Sequence, residues 1–194
     1  MMKLSKQSRK ITILNAASGI VSDKGIFNLT LEAVAKEAGI SKGGLLYHFP
    51  SKEALVKGMV EHLAQNYQHK ISDNVERDPL ERGKWTRSFL NVTFNQGYPN
   101  KDMHAGLLAA KAVNPKLMAP LHDAYEKWQN NIENDGLDPI DATIIRLAAD
   151  GIWLAELLEH YNIDDEKKKE VYKRLHEWIQ DLYIKAEKKE KDSN

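Results

Sequence analysis

The sequence contains no cysteine, which excludes disulfides, thiolate metal sites and cysteine nucleophiles. No stretch reaches the roughly 18 apolar residues of a membrane span. The N-terminal "MMKLSKQSRK" carries charge, but no apolar run of signal-peptide length follows it. No alternating apolar and polar run bounded by turn residues reads as a strand. The seven histidines, at positions 48, 62, 69, 104, 122, 160 and 176, include no H-x-x-x-H or H-E-x-x-H pair, so no metal site is expected. There is no G-x-S-x-G elbow, no phosphate-cradling glycine loop and no dinucleotide fingerprint. These absences predict a soluble, cytoplasmic, all-α protein that is not an enzyme, needs no cofactor and has no membrane partner.

What is present is charge unevenly placed. The 194 residues balance 28 Lys/Arg against 28 Asp/Glu. Residues 1–52 alone carry eight Lys/Arg and three Asp/Glu, a net of +5, and the remainder is correspondingly acidic. A basic head on an acidic body is the asymmetry expected when one end meets a polyanion.

Periodicity and caps predict helices throughout. The first covers about residues 6–22, with Ile11, Leu14, Ala17, Ile20 and Val21 on one face. Thr30 is the N-cap of "LEAVAKEA", with Glu32 in the first turn where the helix dipole favours an acid. Gly39 ends that helix and Ser41 caps the next, which Pro50 stops near His48–Phe49. Ser51 caps a fourth helix running to about Asn74. Asp78-Pro79, Asn114-Pro115 and Asp138-Pro139 each set a capping side chain before a proline at the first helical position. They predict helices over about 79–97, 115–133 and 139–160, with another at about 101–113. A last helix is predicted over about 164–188, with "KKEKDSN" frayed.

A short helix, a turn holding Gly39 and a second short helix, "SKGGLLYHF", make a helix-turn-helix. In such motifs the N-terminal residues of the second helix lie nearest the bases of the major groove. Gly43 and Gly44 stand there together, although a glycine inside a helix costs about 1 kcal/mol relative to alanine. Without a Cβ they allow close backbone approach, either to DNA or to a neighbouring helix. Lys52, beside the exposed N–H groups of the next helix, suits a phosphate oxygen.

The stretch "LTLEAVAKEAGISKGGLLYHFPSKEAL" resembles the DNA-binding segment of the TetR family of bacterial transcriptional regulators. The matching features are Thr30, Ala38-Gly39-Ile40-Ser41, Tyr47-His48-Phe49 and Ser51-Lys52, within about 45 residues. The resemblance implies an all-α homodimer, with residues 1–52 as the helix-turn-helix domain and 53–194 as a helical bundle for ligand binding and dimerisation. It places Thr30, Ser41, Lys42, Gly43, Gly44, Tyr47, His48 and Lys52 at or near double-stranded operator DNA. Gly43-Gly44 departs from members with base-reading side chains there, which leaves readout to Ser41, Lys42, Tyr47 and DNA shape.

In the body, "IDATIIRLAADGIWLAELLEH" is apolar over most of its circumference, and such a helix is buried. With the one-sided last helix it would supply half of a four-helix dimer interface through Ile144, Leu147, Leu154, Leu158, Val171, Leu175, Trp178 and Leu182. Trp85, Phe89, Thr93, His104, Trp128 and Trp153, with Met59, His62 and Met103, are candidates for a mostly apolar ligand site. Asp150 and Glu156, about one turn either side of Trp153, would favour a cation beside its ring. The tryptophans also suit a plain core. The expected protein is a homodimeric repressor released from DNA by a small hydrophobic inducer, cationic ligands included. A ligand-independent or activating regulator stays open. So does a small-molecule-binding or enzymatic domain with a vestigial helix-turn-helix.

Overall fold

The computed structural model describes residues 6–96, 101–157 and 163–192, without the side chains of residues 6, 96, 101–104 and 157. All regular structure among the described residues is helical. The helices are α1 (Lys6–Lys24), α2 (Leu31–Glu37), α3 (Lys42–His48), α4 (Lys52–Arg77), α5 (Lys84–Asn91), α6 (Lys101–Val113), α7 (Ala119–Glu133), α8 (Pro139–Leu157) and α9 (Asp165–Asp192). None of the described helices is long and apolar enough to cross a membrane.

The chain packs as two units. One comprises residues 1–65 and 99–123, the other 66–98 and 124–194. The boundary expected at residue 52 does not coincide with a limit of either unit. In the first unit α1 packs on α2 and α6, and α2 on α3. Its core holds Ile13, Leu14, Ala17 and Ile20 of α1, Val34 of α2, Leu45 of α3, Phe49, and Leu55, Val56 and Met59 of α4. In the second unit α5 packs on α8 and α9. Its core holds Tyr67, Ile71, Phe89, Leu90, Trp128, Ile132, Ile145, Leu175 and Ile179.

Local capping works as the sequence predicts at most sites. The side-chain oxygens of Thr30, Ser41 and Ser51 accept from the amides of Ala33, Gly44 and Ala54, each at 3.1 Å. Asp138 Oδ1 accepts from Ile140 and Asp141 at the start of α8. Asn114 caps Lys116, although the turn it opens is a 3-10 turn and α7 begins only at Ala119.

Two expectations need correction. The helix predicted from Pro79 begins five residues later, because the Asp78 carboxylate is engaged elsewhere. It takes the Arg87 guanidinium at 2.7 and 2.9 Å, and accepts from the Leu80 amide. Arg87 also donates to the carbonyls of Leu80 and Arg82, so one side chain holds residues 78–83 in a wrapped loop. The loop turns into α5 at Gly83, in the left-handed region at φ 81°. Secondly, residues 188–192 of the tail expected to fray are helical, while Ser193 and Asn194 lie outside the described residues. α9 runs to Asp192, and Glu190 pairs with Arg82.

Candidate functional site

The reading head is built on a tight helical corner. Gly39, at φ 65°, sends its N–H to Lys36, and Ile40 sends its N–H to Ala35, closing α2 with a Schellman pattern. Ser41 starts α3 immediately afterwards. Leu45 and Phe49 are buried, while Ser41, Lys42, Gly43, Gly44 and Tyr47 are exposed. The two apolar anchors therefore hold α3 with its N-terminal turn facing outward.

The question of the paired glycines is settled within the chain. A Cβ at Gly43 would meet nothing within 4 Å, and one at Gly44 only its own cap, Ser41 Oγ at 3.3 Å. Intramolecular packing does not require Gly43, whereas a side chain at Gly44 would crowd its own capping hydroxyl. Both leave bare backbone on the outward edge.

The remaining predicted head residues lie at the start of α2, on α3 and at the start of α4. The Tyr47 ring meets His48 edge-on at 5.2 Å between centroids. Lys42 Nζ lies 2.5 Å from Glu32 Oε1, joining the first turns of α3 and α2. That contact holds the Glu32 carboxyl below its ordinary range. Lys52 opens α4 and has no ion pair among the described residues.

Of the residues predicted to meet a ligand, Met59 and His62 belong to the first unit. Met59 is core, and the helix crossing over it is so close that a Cβ on Gly106 would lie 3.3 Å from Met59 Cβ. Burial first, and then the Lys10 ammonium, hold His62 below its ordinary pKa. Met103 and His104 lie outside the residues whose side chains are described. The others fall in the second unit.

There Phe89 and Trp128 join an aromatic cluster with Tyr67 and Tyr125. Its centroid separations run from 5.0 Å for Tyr125–Trp128 to 6.2 Å for Tyr67–Phe89. Each polar tip is satisfied: Trp128 Nε1 donates to Gln68 Oε1 at 2.6 Å, and Tyr67 Oη lies 2.7 Å from the Thr93 hydroxyl. Thr93 sits in the π-helical turn Val92–Gln96 that continues α5. Tyr125 donates to Asp150 at 3.0 Å. Burial, then the Asp150 charge, pushes the Tyr125 phenol up.

Asp150 is itself paired with Arg146, and burial raises its carboxyl against that pairing. Glu156 pairs with Lys168 of α9. Both candidate carboxylates thus already hold a cation of the same chain. Trp85 is half-buried and stands outside the four-ring cluster, and Trp153 is half-buried. The sequence reading missed Tyr67, Gln68 and Tyr125. Tyr125 and Trp128 share a helix face at spacing three, which is the signal that points to one of them.

The predicted interface residues divide by burial. On α8, Ile144, Leu147 and Leu154 are 44, 53 and 47% exposed, and Ile140 is 68% exposed. Positions 140, 144, 147, 151 and 154 follow the alternating four-three spacing of a helix–helix seam. The opposite side, Ala142, Ile145 and Ala149, is buried in the chain. So the helix that looks apolar all round is buried on one side only. Leu175 and Leu182 of α9 are buried within the chain, alongside Ile179, and have little area left to give a partner. Val171 and Trp178 are half-buried, and Leu158 lies outside the described residues. Among the described residues, no three His, Asp or Glu side chains group as a metal site.

A helix-turn-helix head with an exposed reading edge, followed by an all-helical body, is the architecture of a bacterial one-component regulator. Residues 13–59 match the family described as "Bacterial regulatory proteins, tetR family", and residues 83–180 match "Tetracyclin repressor-like, C-terminal domain". The chain belongs to the TetR family of transcriptional regulators, a family of regulators rather than enzymes. It is similar to the HTH-type transcriptional regulator LmrA of Bacillus subtilis, at 32% identity over 126 residues, 62% of this chain and 67% of the relative. It is also similar to UidR of Escherichia coli K12, at 39% over 128 residues, 64% of this chain and 62% of the relative. The matches thus span about two thirds of these relatives' lengths. A solved structure from Pseudomonas aeruginosa PAO1 shares the fold, with a TM-score of 0.74 at 16% identity over 96% of both chains.

Proposed function

We propose that the protein is a homodimeric repressor that binds a pseudo-palindromic operator and leaves it when a small hydrophobic ligand occupies the body. Each protomer lays α3 in a major groove, with Ser41, Lys42 and Tyr47 reading and Thr30, His48 and Lys52 on the backbone. The single observation carrying the reading is the bare Gly43–Gly44 edge. It is exposed, a Cβ at Gly43 would meet nothing of its own chain, and buried Leu45 and Phe49 anchor the helix that carries it. The exposed α8 seam supports dimerisation, because a contiguous apolar stripe on one helix is covered by a partner in a soluble regulator.

For the ligand, the support is the aromatic cluster around Trp128. The pairing of Asp150 with Arg146 and of Glu156 with Lys168 favours an uncharged ligand over a cationic one, since a cation has to displace a resident one. A second reading has its own observation. Every polar tip of the aromatic cluster is already satisfied, which suits a ligand-independent core. A mobility-shift assay on the DNA upstream of the gene tests the first step, and absence of a sequence-specific complex at moderate salt ends the proposal. Thermal shifts with hydrophobic antibiotics, acyl compounds and aromatic cations test the second. If none raises the melting temperature, the ligand-independent reading replaces the induced one.

A further inference from the structure

Two lysines flank the reading edge, and they differ in their surroundings. Lys52 has no ion pair among the described residues, whereas Lys42 is held by Glu32 at 2.5 Å. Both members of the pair are more than half exposed, at 56 and 63%. The Glu32 carboxylate thus stands on the outer surface of the head, at the same end of α3 as the bare glycine backbone.

On DNA that lacks the operator sequence Lys42 has no matching base edge to read, and a phosphate offers it what Glu32 already offers: an anionic oxygen at ion-pair distance. We infer that Glu32 is an affinity-setting residue, a resident carboxylate that occupies Lys42 in place of a phosphate and restrains the head's binding to arbitrary DNA. The inference rests on the DNA-binding reading above. Its physical basis is counterion release. A lysine contributes to the salt dependence of binding by displacing a condensed cation from DNA when it neutralises a phosphate. A lysine neutralised within the protein must first give up its own carboxylate, so its contribution is muted.

Lys42 and Lys52 therefore make unequal contributions to binding. Glu32 has a local duty too, as an acid in the first turn of α2. A glutamine there keeps the length and loses the charge, and the pair's exposure makes its share in stability small.

The test is fluorescence anisotropy of the full-length protein on a random-sequence duplex, between about 50 and 200 mM salt, where phosphate contacts dominate. Circular dichroism melts run alongside. Glu32→Gln should tighten binding and steepen the slope of log K against log salt by up to about 0.9. Lys42→Met alone should flatten it by less than half of that, and the double variant should match Lys42→Met. Lys52→Ala should flatten the slope by about 0.9 whichever residue stands at 32. A slope unchanged by Glu32→Gln in a wild type that binds overturns this inference alone. So does tighter binding that persists in the Lys42→Met background, since Glu32 would then act without Lys42. A folded wild type that binds no DNA at about 50 mM salt overturns the DNA-binding reading, and this inference with it.

Discussion

A Cβ placed on Gly58 would lie 2.5 Å from Cε1 of Phe49 and 3.3 Å from its Cζ. The Phe49 ring, 3% exposed, therefore fills the space beside a bare helix backbone and ties the end of the reading helix to α4. The ring is enclosed and cannot swing away. Gly58→Ala should destabilise the protein by about 1–3 kcal/mol, despite the better helix propensity of alanine. A melting temperature that rose instead would show that Phe49 has room to move.

Gly43→Ala should behave in the opposite way. Its Cβ meets open space, so the substitution should stabilise α3 by about 0.5–1 kcal/mol. Operator affinity should fall, because the new methyl stands on the edge proposed to meet DNA. A more stable protein with weaker binding in an anisotropy titration on operator DNA is the expected pair of results. Unchanged binding would place the glycine away from the DNA.

The α8 seam gives a prediction about assembly. Leu147→Glu should yield a folded monomer by analytical ultracentrifugation, since the side chain is 53% exposed within one chain and carries no core role there. Leu175→Glu should instead unfold the protein, because Leu175 is core. A Leu147→Glu variant that remains a dimer would move the interface elsewhere.

His62 makes stability depend on pH. Its folded pKa is lowered, so the unfolded chain binds a proton more readily than the folded one once pH falls through about 6.5. The stabilisation is complete above that value and is lost as pH falls from there through the lower folded pKa. Urea titrations between pH 7.5 and pH 5 should show stability declining, and His62→Gln should decline less steeply. Parallel curves would mean that other groups carry the acid sensitivity.

The head was readable from sequence because its determinants are local. Thr30, Ser41 and Ser51 each accept from an amide three residues on, Gly39 donates to a carbonyl three residues back, and a cap or a left-handed turn announces itself in the spacing. The loop before α5 was not readable, because its geometry is set from elsewhere. Asp78 looks like a cap, and only the structure shows Arg87 taking its carboxylate. Gly58 gives no sign in sequence of the ring that leans on it. The tryptophans were visible as aromatics, but the partners that decide their burial, such as Gln68 for Trp128, lie 60 positions away. Nor does the sequence tell which side of α8 faces its own core, since both sides are apolar.

The start of α5 has a counterpart in the order of folding. Its first free amides, at Trp85 and Thr86, donate to the Asp135 carboxylate at 3.1 and 2.7 Å, and the Gly83 amide donates to the Asp135 carbonyl at 2.7 Å. Those partners arrive some 50 residues later in the chain. An eight-residue helix is far too short to persist alone in water. During synthesis, then, residues 84–91 leave the ribosome well before their cap exists, while the helices of the head can already close on one another through local contacts. The body must wait for the α7–α8 loop, so its folding is committed late and by a contact distant in sequence.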